Sequence, residues 1–437
     1  MKLKDIFKLE TKTIAPQSDV HYHLYSLPSF DDNQTREEVK GQDIMSNKLV
    51  VPNRCILFNK LNVRFKRVWR INNQDENKLA STEFLPLIVN EQLVDFNFAY
   101  FLLVSDSLTN YLCGQNSNTS GSHKRIDPNV LLNMDITLPT RSEQERTGKL
   151  LTEIDEKIAL NREINRNLEA MARQLYDYWF VQFDFPNENG RPYKSSGGKM
   201  VWNERLKRYI PEGWVTKMIK EFAEIQRDTC SPHTYPDTVY HHFSIPAFDK
   251  TGAYVLERGS EIQSDKFIIT ADDILISKLN PWTSRVVWCG EYPDQVASTE
   301  FVVLRPNFED RGYLYMVLKD PKLVVYASKG ATGTSNSHKR VNPEFLTAYR
   351  IPYELSVVSK FSGHISFIQT QLLKNRDEIT QLIKQRDELL PLLMNGQVSV
   401  MPPEVNCDLE AAKNCIVSFR LVVIKTLSIH VVFNKIY

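Results

Sequence analysis

Apolar positions along the chain follow two different periods. Ile154, Ile158, Asn161, Asn165, Leu168, Ala172, Leu175 and Trp179 succeed one another at alternating spacings of four and three. Further on, Ile365, Ile368, Leu372, Asn375, Ile379, Leu382, Arg386, Leu389 and Leu393 do the same. Each run is an a/d seam, the pattern of a helix packed along its length against another helix. Elsewhere, short β-branched and aromatic runs at 56–58, 84–89, 273–276 and 301–304 are separated by Asn, Asp, Gly and Pro. That pattern predicts strands joined by long loops. The expected order is an α/β (α+β) domain at 1–140, a spacer helix at 141–182, a linker at 183–213, a second domain at 214–353, a second spacer helix at 354–398 and a tail at 399–437.

The two domains are copies. Tyr22, His23, Ser26, Pro28, Phe30 and Asp31 return as Tyr240, His241, Ser244, Pro246, Phe248 and Asp249, a constant 218 positions later. The register holds through Ile56/Ile274, Lys60/Lys278 and Asn62/Asn280, and the repeat resumes in the strings Ala-Ser-Thr-Glu-Phe at 80–84 and 297–301 and Ser-His-Lys-Arg at 122–125 and 337–340, at offsets of 217 and 215 that mean small deletions in loops of the second copy. So long a period excludes a solenoid and implies a duplicated domain with two similar surfaces, a pseudo-twofold internal repeat. Helices of roughly 35 to 40 residues, about 50 to 60 Å long, satisfy each other if the second returns antiparallel to the first. Homodimerisation and docking onto a partner helix are the other ways to cover the seams. Asn161 and Asn375 hold equivalent positions, as register-fixing amides or on a solvated edge.

Composition narrows the chemistry. A net charge of +1 over 437 residues neither supports nor excludes a nucleic-acid partner, because a basic face is easily balanced elsewhere. The six cysteines form no close pairs, so reduced thiols in a cytoplasm are expected. Residues 1–5 are charged from the start, unlike a secretory leader, and the apolar run 416–437 is interrupted by Arg420, Lys425, His430 and Lys435, a poor membrane span. There is no Asn/Asp-Pro-Pro-aromatic string, no phosphate-cradling Gly-x-x-x-x-Gly-Lys-Ser/Thr, no carboxylate cluster of a metal nuclease and no Gly-x-Ser-x-Gly elbow. The chain therefore reads as a binder, with no catalytic or metal-binding residues.

The twice-written strings supply the candidate DNA-binding residues. Lys60 with Asn62, and Lys278 with Asn280, stand two apart, facing one side if they lie on a strand; asparagine pairs with adenine edges and lysine with guanine or phosphate. The alternative is a surface strand end. Ser81, Thr82 and Glu83, with Ser298, Thr299 and Glu300, offer hydroxyls beside a carboxylate able to accept from cytosine, or else cap a turn. His123, Lys124 and Arg125, with His338, Lys339 and Arg340, follow polar loops suited to clamping phosphate, although short basic runs are usually solvated. The segments 63–79 and 281–296 differ most between the copies. The first carries Arg64 and Arg67, the second Trp282 and Arg285, and this divergence predicts two different half-sites.

The chain resembles the specificity subunits of type I restriction-modification systems. The match runs through Ile154 to Ile158, Asn161, Asn165, Leu168 to Met171 and the aromatic string 175–180, then through Phe183 to Pro186, Gly190 to Lys194, Gly197 to Val201 and the Gly213-Trp214 restart. Residues 389–396 are similar to the family's closing helix, whereas the first domain lacks a Gly-Trp start and the segment after 401 has no repeat mate. The resemblance implies that each domain reads half of a bipartite, asymmetric double-stranded DNA target while the paired helices set the gap. It also implies a cytoplasmic complex with two DNA-methyltransferase (modification) subunits and restriction/translocase subunits. S-adenosylmethionine, ATP and Mg would serve those partners, with none bound directly here. A stand-alone sequence-specific DNA-binding protein and a protein-binding scaffold are the other readings.

Overall fold

A computed structural model describes residues 1–32, 34–115, 124–333 and 338–400, together with the main chain of 419–423 and 428–431. Two compact units emerge, residues 1–160 with 379–437 and residues 161–378. Both long helices, Arg141–Tyr176 and Leu355–Met394, are thus divided between the units. Each unit holds part of each helix.

The units share one topology. In the first, a four-stranded antiparallel sheet runs in the order Phe7–Leu9, Phe84–Val89, Arg54–Asn59, Val68–Asn72. In the second the order is Ala223–Gln226, Phe301–Pro306, Ile274–Ser277, Val286–Trp288. Each unit adds a five-stranded mixed sheet whose one parallel pair joins His21–Tyr25 to Lys78–Ala80, or Val239–Phe243 to Gln295–Ala297. The inner strands bury nearly every residue, as at Ile56, Leu57, Ile274 and Leu275. This is why they read as continuous apolar runs instead of alternating ones.

The string Ser-x-Pro-x-Phe-Asp has a local cause. Ser26 and Ser244 are N-caps, each accepting from the backbone N–H three residues on, and proline sits in the first turn of the helices Leu27–Asp31 and Ile245–Thr251. Such a cap satisfies a donor the helix cannot, and proline there has no N–H to lose.

In the second unit the helices pair antiparallel. Asn161 Nδ2 donates to Glu378 Oε2 at 2.8 Å, and Asn375 Nδ2 donates to Asn165 Oδ1 at 2.9 Å. Asn161 is only 5% exposed, so it belongs to the seam and not to a solvated edge. Ile368 and Leu372 are buried in this unit's core, with Leu168 and Leu175 partly covered against it. The first unit closes in the same way. Ile154, Ile158 and Leu382 share a cluster with Leu390 and Leu393, Leu389 is half-buried beside them, and Arg386 Nη1 donates to Asp155 at 3.0 Å. Val398 and Val400 are buried in that cluster too. Their strand pairs with Phe419–Val423, and that one with Ser428–Val431.

The central helix ends in a π-helical turn, Asp177–Val181, that delivers an aromatic cluster. Phe180 lies 4.3 Å from Tyr313 and 4.9 Å from Phe361 between ring centroids, while Phe183 and Phe185 pack on Trp214 at 5.5 and 5.1 Å. The resemblance-bearing strings are therefore a core that welds the helix end to the second copy. Phe180→Ala should cost about 3–5 kcal/mol, the usual loss for emptying a buried ring site; a urea midpoint within error of wild type would contradict this.

Candidate nucleic-acid interface

Strand Arg54–Asn59 ends one residue before Lys60, and Ile274–Ser277 one residue before Lys278. The expectation that lysine and asparagine share a strand face is thus corrected. Asn62 (φ 50°) and Asn280 (φ 50°) adopt left-handed backbone and open 3-10 turns, Val63–Phe65 and Pro281–Thr283. The turns close on a second left-handed residue, Lys66 or Ser284. Asparagine tolerates this conformation better than other residues with a side chain, which gives a backbone reason for its place in both copies.

The three repeated strings converge on this turn. Lys60 N–H donates to Glu83 O, Lys60 O accepts from Ile126 N–H, and Asn62 N–H donates to Lys124 O, at 2.8–3.0 Å. The second copy repeats the set through Lys278 with Glu300 and Val341, and Asn280 with Lys339. Asn59 clamps the corner in the first copy, its amide bonded to both backbone groups of Leu61; Ser277 does so at Leu279 with one hydroxyl.

Side chains brace the turn from two directions. Arg67 grips Asp31 with Nε and Nη2, both at 2.7 Å, and Arg285 grips Asp249 at 2.6 and 2.8 Å. Opposite, Arg125 forks onto Glu83 at 2.7–3.1 Å and Arg340 onto Glu300 at 2.9 Å. The arginine forks hold the Glu83 and Glu300 carboxyls below the ordinary glutamate range, with nearby Lys60 and Lys278 assisting. Arg285 does the same for Asp249. Arg67 and Arg285 are therefore repeat mates in a shared frame, not members of divergent inserts.

The remaining candidates take defined places. Ser81 and Ser298 accept from the N–H groups of Glu83 and Glu300, the turn-capping alternative, while Thr82 and Thr299 point outward. Arg64 is exposed, Lys124 and Lys339 are half-buried and His338 is exposed; His123 lies outside the described residues. Arg70 turns inward, donating to Asn97 and Thr152. Sequence reasoning missed Asp31 and Asp249 as partners, although each keeps the 218-residue offset of its arginine. Among the described residues no cluster suits a metal ion, and no helix is long and apolar enough to cross a membrane. Cys55, Cys113, Cys230 and Cys289 are free thiols, and Cys407 and Cys415 lie outside the described residues.

Two matching turns, each framed by arginine–carboxylate forks and joined to halves of two paired helices, define a duplicated recognition module. A family model, the type I restriction modification DNA specificity domain, matches residues 1–170. The HindI specificity subunit of Haemophilus influenzae is 28% identical over 151 residues, 35% of this chain and 30% of that protein. The MjaIX specificity subunit of Methanocaldococcus jannaschii is 20% identical over 414 residues, covering 91% of this chain and 89% of its own. The S subunit of the type I system from M. genitalium has a similar fold, with a TM-score of 0.59 at 15% identity over 90% of this chain and 95% of that one. Residues 1–170 thus match the specificity-domain model, and the chain as a whole is similar to specificity subunits of type I restriction-modification systems.

The depressed carboxyl pKa values fix a sign. Stability from the Glu83 and Glu300 forks is complete above the ordinary glutamate value and is lost as pH falls through the lower folded value. The double variant Glu83→Gln, Glu300→Gln should melt below wild type at neutral pH, with the gap narrowing below about pH 4. A gap that stays constant from pH 7 to 3 would contradict the assignment.

Proposed function

We propose that this chain is the DNA-specificity subunit of a type I restriction-modification complex, each copy reading one half of a bipartite, asymmetric duplex target. The reading is carried by one observation. Strings separated by 22 to 66 residues in the chain meet at a single exposed turn, and the same meeting is built twice. The match of residues 1–170 to the specificity-domain model and the likeness to specificity subunits support it.

In this reading the turn enters a groove, Lys60, Lys124, Lys278, Lys339 and His338 lie along the phosphates, and the turn presents its outward side chains to base edges. Phosphate contacts position the protein while base contacts specify the sequence. The four forked arginines act first as framework, since a fork that already bonds a carboxylate bidentately has few donors left. Specificity subunits are non-catalytic recognition components, and methyl transfer and cleavage fall to partners. The paired helices dock two modification subunits and set the gap between half-sites; S-adenosylmethionine, ATP and Mg serve the partner subunits.

Two measurements test this. Each lysine that neutralises a phosphate contributes close to one unit of slope in the logarithm of affinity against the logarithm of salt concentration. Lys60→Ala with Lys278→Ala in the assembled complex should therefore lower the slope by about 2, and an unchanged slope would remove these lysines from the interface. Seven residues inserted into each long helix, after Asn165 and at the facing position before Asn375, add about 10 Å of helix. Methylation mapping should show the gap longer by about three base pairs, at 3.4 Å per pair, with both half-sites unchanged. Altered half-sites with the old gap would reject the role of the helices.

A further inference from the structure

Within the two tips, the backbone is held constant and the outward side chains are not. Both turns are bracketed by left-handed residues with nearly the same angles, Asn62 and Lys66 at φ 50° and 46°, Asn280 and Ser284 at φ 50° and 48°. Both rest on a helix beneath, Asp106–Gln115 in the first copy and Pro321–Lys329 in the second. Both are pinned by the arginine five residues after the asparagine that opens the turn, Arg67 or Arg285, through its bond to Asp31 or Asp249.

The third residue of each turn supports its neighbours, although Phe65 keeps 52% of its surface exposed. Phe65 has the guanidinium of Arg67 5.0 Å and that of Arg64 4.8 Å from its ring centroid. Thr283, its repeat mate, takes a hydrogen bond from Arg285 Nη1 at 2.6 Å and donates to Asn280 O at 2.8 Å. The residue before it faces outward. In the first copy this is Arg64, exposed, its guanidinium stacked on Phe65 and held forward. In the second it is Trp282, with 45% of its surface open to solvent despite its size.

We infer that positions 64 and 282, equivalent in the repeat, are the residues that make the two half-sites different. Arg64 reads guanine and Trp282 reads an A·T pair through the thymine methyl group. The chemistry differs sharply between them. A guanidinium donates twice to guanine O6 and N7, whereas an indole brings a broad apolar face suited to the methyl group in the major groove. Because the frame is common, exchanging these side chains alters what is read without altering how the turn is held. The inference rests on the reading of the chain as a DNA-specificity subunit.

The test uses the full chain in complex with its modification subunits, acting on genomic DNA, with the methylated motif read by single-molecule sequencing. Arg64→Ala should relax one guanine position in one half-site, lowering discrimination there roughly ten- to a hundred-fold. The other half-site and the gap should stay unchanged. Trp282→Ala should relax one A·T position in the other half-site only, and Trp282→Arg should change the base preferred there. Thermal melts within a degree or two of wild type confirm that these surface changes leave the fold alone. Variants that keep the wild-type motif, or that lose methylation evenly at every site, would overturn the inference. A wild-type complex that methylates no bipartite motif would instead overturn the specificity-subunit reading itself, a result visible before any variant is made.

Discussion

The arginine–carboxylate fork is the interaction on which the recognition surface depends. Each turn holds two non-glycine residues in left-handed backbone, a conformation that costs on the order of 1 kcal/mol or more per residue and persists only where the surroundings over-determine it. The surroundings here are specific. Arg67–Asp31 ties the turn to the short capped helix on one side, Arg125–Glu83 ties it to the loop behind on the other, and backbone bonds from Lys60 and Asn62 close the gap between them. Planar, bidentate pairing fixes orientation as well as distance, so two forks at an angle leave the turn little freedom. A turn fixed before its partner arrives avoids much of the ordering cost of binding.

That frame is anchored to the helices separately within each unit. In the first, Arg70 runs from its strand to Asn97 and to Thr152 on the central helix, with Tyr100 under its guanidinium at 4.5 Å. In the second, the repeat mate of Arg70 is Trp288, which faces Tyr315 edge-on and carries Arg311 over its ring at 3.7 Å. Charge and ring have changed places across the same seam. Tyr176, near the end of the central helix, adds a hydrogen bond to Asp320 at 3.0 Å, and burial pushes its phenol well above the ordinary tyrosine range. The second unit also has the aromatic cluster, in which Phe183 and Phe185 pack on Trp214.

The large features were legible in the sequence because they are periodic. Seam positions from Ile154 to Trp179 must recur every three or four residues to stay on one helix face, and a duplication keeps its register wherever loops tolerate no change. Roles of single side chains were not legible in the same way. Arg67 read as part of a divergent segment and Arg125 as a phosphate clamp because their carboxylates lie 36 and 42 residues away, a pairing that only the folded sheet creates. The lysine–asparagine string looked like part of a strand because an apolar run precedes it, yet the amide clamp of Asn59 turns the chain at that point. A usable signal did exist in the shared offsets. Asp31 and Arg67 both recur 218 residues later, and a charge pair preserved through duplication is more economically explained by mutual contact than by two independent contacts with a ligand.

The forks also explain why overall charge was uninformative. Four arginines that composition counts as basic are matched one for one by carboxylates within the frame, so the near-neutral balance is built into the recognition domain itself. A frame neutralised in this way contributes little long-range pull on a polyanion, because paired charges cancel beyond their own separation. In the proposed reading, discrimination falls to what the rigid turn holds outward, and affinity to the lysines around it. Such a division suits a duplicated reader. The frame can be copied unchanged, while a single outward side chain, Arg64 in one copy and Trp282 in the other, is free to diverge without loosening the turn that presents it.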